Sequence, residues 1–165
     1  MTNSYVVVAE GTQARFFTLE HTEVPDLEGG PDLVEHDSLL NPAHRVHHDQ
    51  IYADSSGRNR TPGGQGHIYD EHRDQHDANS EKLFARQIAE RLDQIGRQAG
   101  ARRALLCAEK RMLGFLRTSL GEHTPSGIEI HEIPKDLAKL KPREIQEHLA
   151  NDGYILRRKA PQANH

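Results

Sequence analysis

The sequence is poor in cysteine, aromatic residues and long apolar runs, and each shortage excludes a class of protein. It has one cysteine, Cys107, and no tryptophan among 165 residues, so the chain forms no internal disulfide. Cys107 lies in the apolar run Ala104–Ala108, which predicts a buried strand residue rather than a nucleophile. No segment approaches the ~20 apolar residues of a membrane span, and the first residues lack the pattern of a secretory signal. We therefore expect a cytoplasmic protein without a membrane span.

Several common catalytic motifs are also missing. The chain has no Gly-x-Ser-x-Gly, no phosphate-binding lysine loop and no dinucleotide fingerprint, so we expect no cofactor. It does have twelve histidines, and His72 and His76 are spaced so that two imidazoles on one helix face can bind a metal ion. The residues between them are Arg-Asp-Gln, without the leading Glu of a zinc-protease helix. We predict no metal site and keep a histidine-bound metal as an alternative, with His67, Glu71 or Asp74 as a third ligand.

The charge is unevenly distributed along the chain. The formal net charge is -4, which disfavours a general nucleic-acid binder, and we expect no DNA partner. Residues 1–40 contain one basic and eight acidic residues, whereas residues 101–117 contain five basic and one acidic residue. A second basic group, Arg157, Arg158 and Lys159, lies near the C-terminus. A basic side of this kind can contact phosphate.

Apolar patterning predicts the element order β-β-β-long loop-α-β-α-β-α. The β-prone runs Tyr5–Ala9 and Ala14–Leu19 flank a short turn and predict a hairpin. Apolar residues three and four apart predict a helix from roughly Asp74 to Ala99, the longest element. The remaining predicted elements are a strand at Asp32–Leu40, a strand at Arg103–Ala108, a helix from Met112 to Gly121, a strand at Ile128–Ile133 and a short helix at Pro142–Leu149.

This order predicts an α/β fold of one domain over residues 1–152, with a mixed β-sheet and flanking helices. The opening hairpin is antiparallel, and the later strand-helix-strand crossovers favour parallel pairing. Residues 41–72 show no sustained period and predict a long loop, which in a compact domain is usually functional or disordered. The polar residues 153–165 predict a basic, flexible tail.

Within the long loop, Gly63-Gly64-Gln65 is the best candidate for chemistry. Two glycines open backbone conformations that other residues avoid, and they let the main chain approach a ligand. Gln65 offers a backbone N–H for a developing oxyanion or leaving hydroxyl and a side-chain amide that orients or excludes water. Arg58 and Arg60 precede it and are suited to phosphate contacts. By themselves, three such residues are also compatible with a plain flexible loop.

Two resemblances extend this interpretation. The basic Gly-Gly-Gln loop followed by a long helix that contains Lys82–Glu90 resembles the middle domain of archaeal and eukaryotic class 1 peptide-chain release factors. Almost the whole chain resembles the bacterial family of proteins required for attachment to host cells, which is regarded as related to that domain. The matching stretches are Val6–Phe17, His76, Lys82–Arg86, Ala104–Ala108, Met112–Arg117 and Pro134–Leu149.

The resemblance implies an RNase H-like core, catalytic roles for Gly63, Gly64 and Gln65, and RNA contacts by Arg58, Arg60 and Arg73. The implied partners are the large ribosomal subunit and its tRNA or rRNA. We expect no codon-reading or partner-binding domain of the release-factor kind, so the implied activity is peptidyl-tRNA hydrolysis in rescue or recycling. The alternatives are a ribosome-binding or hibernation factor without catalysis and an attachment or other interaction role.

Overall fold

A computed structural model of the protein describes residues 4–43, 66–122 and 127–162, with only the backbone described at 66–77, 99 and 122. The predicted α/β fold with a mixed sheet and helices is confirmed, and a four-residue helix that the sequence did not indicate lies in the turn region after the hairpin. The elements are β1 (Ser4–Ala9), β2 (Gln13–Glu20), α1 (Pro25–Glu28), β3 (Asp32–Leu40), α2 (Gly66–Ala99), β4 (Arg103–Cys107), α3 (Lys110–Glu122), β5 (Glu129–Ile133) and α4 (Pro142–Asn151).

The five strands form one mixed sheet in the order β3-β2-β1-β4-β5. The first three strands are antiparallel neighbours, with Val7 opposite Phe16 across the hairpin. β4 pairs in parallel with β1, and β5 pairs in parallel with β4. The predicted combination of an antiparallel hairpin and parallel crossovers is therefore confirmed. Since β2 is antiparallel to both of its neighbours, β1, β3, β4 and β5 all end at the same edge, which we call the carboxyl edge.

Side chains of the central strands alternate between two apolar cores, one on each face of the sheet. Val7, Phe16 and Leu106 belong to the core shared with α2 and α3. Val6, Phe17 and Leu105 belong to the core shared with α4. A strand that is covered on both faces needs apolar residues at successive positions. This explains why β1 and β4 appear in the sequence as continuous apolar runs.

Helix α2 begins at Gly66, earlier than the start near Asp74 that the apolar pattern predicts. The first buried side chain of the helix is Phe84, among the residues whose side chains are described, and it is followed by Ala85, Ile88, Ala89 and Leu92. A helical apolar period arises only where one face packs against a core. The apolar period of the sequence therefore predicts the packed part of α2 but not the turns that precede it.

The described part of the C-terminal segment is hydrogen-bonded to the turn region before β3. Gly30 and Lys159 exchange two backbone hydrogen bonds of 2.9 and 3.0 Å, and the N–H of Gln162 donates to the carbonyl of Asp26 at 2.8 Å. A Cβ on Gly29 would lie 2.6 Å from the carbonyl oxygen of Lys159, so the approach requires glycine. Backbone pairing of this kind leaves no hydrophobic pattern in a polar segment, and the sequence therefore gave no sign of it.

Helix α4 begins with an incomplete cap. Lys141 is the N-cap residue, and its N–H donates to the carboxylate of Glu144 at 3.3 Å. A lysine side chain has no acceptor for the N–H groups of the first turn.

We therefore expect Lys141→Ser to raise the free energy of unfolding by about 1 kcal/mol, because the serine hydroxyl accepts one of these N–H groups. Urea denaturation of the variant and of the natural protein measures this change. Lys139→Ser removes the same charge from an exposed position outside the helix and serves as the control. Equal stability changes for the two variants would show that charge, and not capping, is responsible.

Candidate functional site

The carboxyl edge of the sheet is where the fold favours a ligand site. In α/β sheets, ligands bind in the crevice beyond the carboxyl ends of two neighbouring strands whose outgoing connections run to opposite sides. β1 and β4 are such a pair, since β1 connects to β2 on one side and β4 connects to β5 on the other. Polar residues follow the strand ends here, with Glu10 after β1, Asn41 after β3 and Glu109 after β4.

The turn between β1 and β2 is held by the carboxylate of Glu10. One of its oxygens accepts hydrogen bonds from the Thr12 hydroxyl at 2.6 Å and the Gln13 side-chain amide at 3.1 Å. The backbone N–H of Glu10 donates to the carbonyl of Gln13 at 2.8 Å. At Gly11 an added Cβ would lie 2.9 Å from a carboxylate oxygen of Glu81, so this turn packs closely against α2.

Asn41 joins this turn to β3 and α2. Its side-chain amide donates to the carbonyl of Gly11 at 2.8 Å and to the hydroxyl of Ser80 at 3.0 Å. Its backbone N–H donates to the carbonyl of Thr12 at 2.9 Å, and the residue is 4% exposed. The chain therefore leaves the sheet at Asn41 and returns along α2 to a hydrogen bond with the same residue. The sequence does not indicate that Asn41 joins these segments, because a single asparagine at a strand end carries no periodic signal.

The N-terminal part of α2 continues beyond the carboxyl edge. Ser80 lies at this edge, and from Phe84 onward the helix packs over the sheet toward the start of β4. At 1.5 Å per residue, Gly66 lies roughly 21 Å along the helix axis from Ser80. Gln65 immediately precedes Gly66, so the helix connects the predicted catalytic residue to the body of the protein.

The predicted site residues themselves are only partly placed. Gly63, Gly64, Gln65, Arg58 and Arg60 lie outside the described residues. Arg73 lies within α2, where only the backbone is described. Their catalytic and RNA-binding roles stay predictions.

The basic run at residues 101–117 is dispersed by the fold. Arg103 donates to the carbonyl of Tyr154 at 3.3 Å, and Arg117 forms an ion pair with Glu132 at 2.6 Å. Arg111 pairs with Glu81 at 3.2 Å. The side chains of Arg111 and Lys82 both lie over the ring of Phe115, at 5.9 and 5.8 Å from its centre. The basic residues of this run do not form one basic face, because most of them already have partners.

Arg15, which lies in the first stretch of family resemblance, has a structural role. It forms an ion pair with Glu35 at 2.6 Å. It also donates to the carbonyls of Ala138 and Leu140 at 3.0 and 2.6 Å and lies over the Phe17 ring at 5.0 Å. These contacts join the sheet to the segment before α4. A guanidinium has enough donors in a planar fork to make such a connection.

The described residues contain no group of three or more His, Cys, Asp or Glu side chains that could hold a metal ion. The side chains of His72 and His76 are not described, so the histidine-bound metal stays an untested alternative.

In the described part of the chain, no helix combines the length and apolar character needed to span a bilayer.

Cys107 is buried, as the sequence predicts. Burial raises the pKa of its thiol to about 12, and the charge of Lys135 opposes this by a smaller amount. A thiol that stays protonated is neither a nucleophile nor a metal ligand at neutral pH.

This pKa predicts a loss of stability in alkaline solution. The raised value favours the native state fully below the thiol pKa of the unfolded chain, near 8.5, and the advantage is lost as the pH rises toward 12. The free energy of unfolding of the natural protein should therefore fall more than that of Cys107→Ala between about pH 8 and pH 11. Urea denaturation at both pH values measures the difference, and parallel pH profiles for the two proteins would contradict the prediction.

Comparison with known proteins shows the family of this chain. A family model described as "Protein required for attachment to host cells" matches residues 5–149. The chain belongs to this family. The match runs from β1 to α4 and includes Asn41, Ser80 and the Gly-Gly-Gln segment, whereas Arg157 and Arg158 lie beyond it. A search of curated proteins gives no match.

Proposed function

We propose that this member of the host attachment family is a cytoplasmic, ribosome-associated protein that promotes hydrolysis of peptidyl-tRNA through Gly63-Gly64-Gln65. The observation that supports it best is the start of α2 at Gly66, directly after Gln65, about 20 Å beyond the edge of the sheet. A long helix of this kind can carry a short loop into a narrow site while the body of the protein stays outside. The mixed sheet with helices on both faces is compatible with the RNase H-like core that this proposal assumes.

The base of this helix is attached to the body of the protein by buried contacts and a hydrogen bond. Buried side chains from Phe84 to Leu92 hold α2 against the sheet, and the hydrogen bond between Asn41 and Ser80 ties the helix to the end of β3. A catalytic group must be held near its productive position, because small misplacements cost a large part of the rate. This anchoring therefore supports a positioning role for α2.

The proposed chemistry needs only water as a second reactant. Water adds to the ester carbonyl between peptide and tRNA, the bond to the terminal ribose oxygen breaks, and a proton from the water reaches that oxygen. Gly63 and Gly64 allow the main chain to approach the ester, Gln65 positions the water with its side-chain amide, and its backbone N–H donates to the leaving oxygen. Arg58, Arg60 and Arg73 contact RNA phosphates.

The family description favours a second function, in which the protein takes part in attachment to host cells. The two functions predict different locations. Cell fractionation that recovers the protein at the outer surface would favour attachment and would contradict the ribosomal proposal.

In the decisive experiment, the purified protein is incubated with ribosomes that carry labelled peptidyl-tRNA. Released peptide and co-sedimentation with ribosomes are measured on the same samples at low and high salt. We expect both release and binding, with binding weakened by salt because phosphate contacts release counterions. Binding without release identifies a non-catalytic occupancy factor, and absence of both refutes the ribosomal proposal.

A further inference from the structure

A cavity with a volume of about 250 Å³ lies between α4 and the C-terminal segment. It is on the α4 side of the sheet, on the opposite face from α2. The residues that line it are polar or charged and mainly basic, and the aliphatic parts of their side chains contribute to the walls. These residues are Arg143, Gln146, Glu147, Arg157 and Arg158.

Gln146 builds this cavity by holding the C-terminal segment beside α4. Its side-chain amide donates to the carbonyl of Pro31 at 2.8 Å and to the carbonyl of Leu156 at 3.2 Å. Its side-chain oxygen accepts from the N–H of Leu33 at 3.2 Å. Gln146 is 2% exposed, its bond to Leu33 is buried and its bonds to Pro31 and Leu156 are partly buried. Because Leu156 is held in this way, the two arginines that follow it are placed next to α4.

The guanidinium groups of the cavity differ in how far their charge is compensated. Arg158 is paired with Asp32 at 2.7 Å. Arg157 donates to the side-chain oxygen of Asn151, which is uncharged. Arg143 has no hydrogen bond or ion pair to any residue that the structure describes. Among the described residues, Arg143 and Arg157 therefore have no ionic partner, and Glu147 is the one acidic residue that lines the cavity.

We propose that this cavity binds a phosphate group. Guanidinium groups bind phosphate through paired N–H donors, and two guanidinium groups beside one cavity can share the oxygens of one phosphate. The volume lies below the range of about 300–1,000 Å³ that is typical of sites for larger ligands. It therefore suits a phosphate with little attached to it, either a free small phosphate or one group of a polynucleotide backbone. Arg143 and Arg157 supply the attraction, Gln146 positions the segment, and Glu147 weakens the binding by repulsion.

This site is separate from the proposed peptide release. It is lined by residues of α4 and the C-terminal segment, on the opposite face of the sheet from α2, and Arg157 and Arg158 lie beyond the family match, which ends at Leu149. The phosphate site can therefore exist whether or not the protein acts on ribosomes.

To test this, the whole chain is titrated with inorganic phosphate at low ionic strength, and phosphate binding is measured by calorimetry. We expect Arg143→Ala to weaken phosphate binding by about tenfold, the effect of losing one charge-assisted contact. Glu147→Gln should strengthen binding several-fold. Lys139→Ala removes an exposed positive charge outside the cavity and should leave the affinity unchanged. Circular dichroism of each variant checks that the fold is retained.

A second arm adds a short single-stranded RNA as a competitor. Displacement of phosphate from the natural protein but not from Arg143→Ala would assign the bound group to a nucleic-acid backbone. Phosphate binding that RNA does not displace would assign it to a small free anion, and both outcomes support the site. The proposal is overturned if the natural protein binds no phosphate up to the millimolar range, or if Lys139→Ala weakens binding as much as Arg143→Ala.

Discussion

Replacing Gln65 by alanine is expected to lower peptide release by about a hundredfold, the size of effect seen when a positioned catalytic group is removed. The substitution deletes the side-chain amide that positions water but keeps the backbone N–H. It should therefore leave ribosome binding unchanged and reduce only the hydrolytic step. The measurement is the single-turnover rate of peptide release from ribosomes that are saturated with the protein, alongside co-sedimentation.

Gln87→Ala provides a matched control, since Gln87 is an exposed glutamine on α2 within the packed part of the helix. This control should release peptide at the rate of the natural protein. Gly64→Ala tests the backbone role, because an added Cβ hinders the close approach of the main chain. Equal rates for Gln65→Ala and Gln87→Ala would remove Gln65 from the mechanism, even if the protein binds ribosomes.

Gln146→Leu is expected to lower the free energy of unfolding by about 3 kcal/mol, since three backbone groups lose a partner at about 1 kcal/mol each. Leucine has a similar size but cannot bond to the N–H of Leu33 or to the carbonyls of Pro31 and Leu156. For a chain of this length, the melting temperature should fall by about 6–12 °C. Urea denaturation and calorimetry measure both quantities.

The adjacent position gives the control for this substitution. Glu147→Leu places the same residue on the exposed side of α4, where a surface change is expected to alter stability by less than about 0.5 kcal/mol. If Gln146→Leu is no more destabilising than Glu147→Leu, then the buried hydrogen bonds do not hold the C-terminal segment. The phosphate-binding cavity would then lose its structural basis as well.

Elements that pack through a regular apolar pattern were predicted well. The bounds of β3, Asp32–Leu40, agree with the prediction, and Phe84, Ile88 and Leu92 of the predicted apolar face of α2 are buried. Helix α4 begins at the predicted Pro142. In the packed part of α2 each turn repeats the same burial, so the pattern is visible without knowledge of the partner.

The chemistry of Gly63-Gly64-Gln65 is an inference from the sequence alone. The residue types and the resemblance to release factors suggested it, and these residues lie outside the described part of the chain. The tertiary structure adds the support behind them, namely the start of α2 at Gly66 and its anchor at Asn41 and Ser80.

The sequence by itself determined the α/β class with a mixed sheet, the burial of Cys107 and the family. Only the tertiary structure decided where α2 begins, that residues 154–162 join the fold, and that Gln146 and Asn41 hold distant segments together. The physical reason is that apolar burial repeats with the period of the helix or strand, whereas a single polar side chain that bonds to remote backbone leaves no pattern. Such contacts depend on which segments meet in space, and here they shape both the base of α2 and the proposed phosphate site.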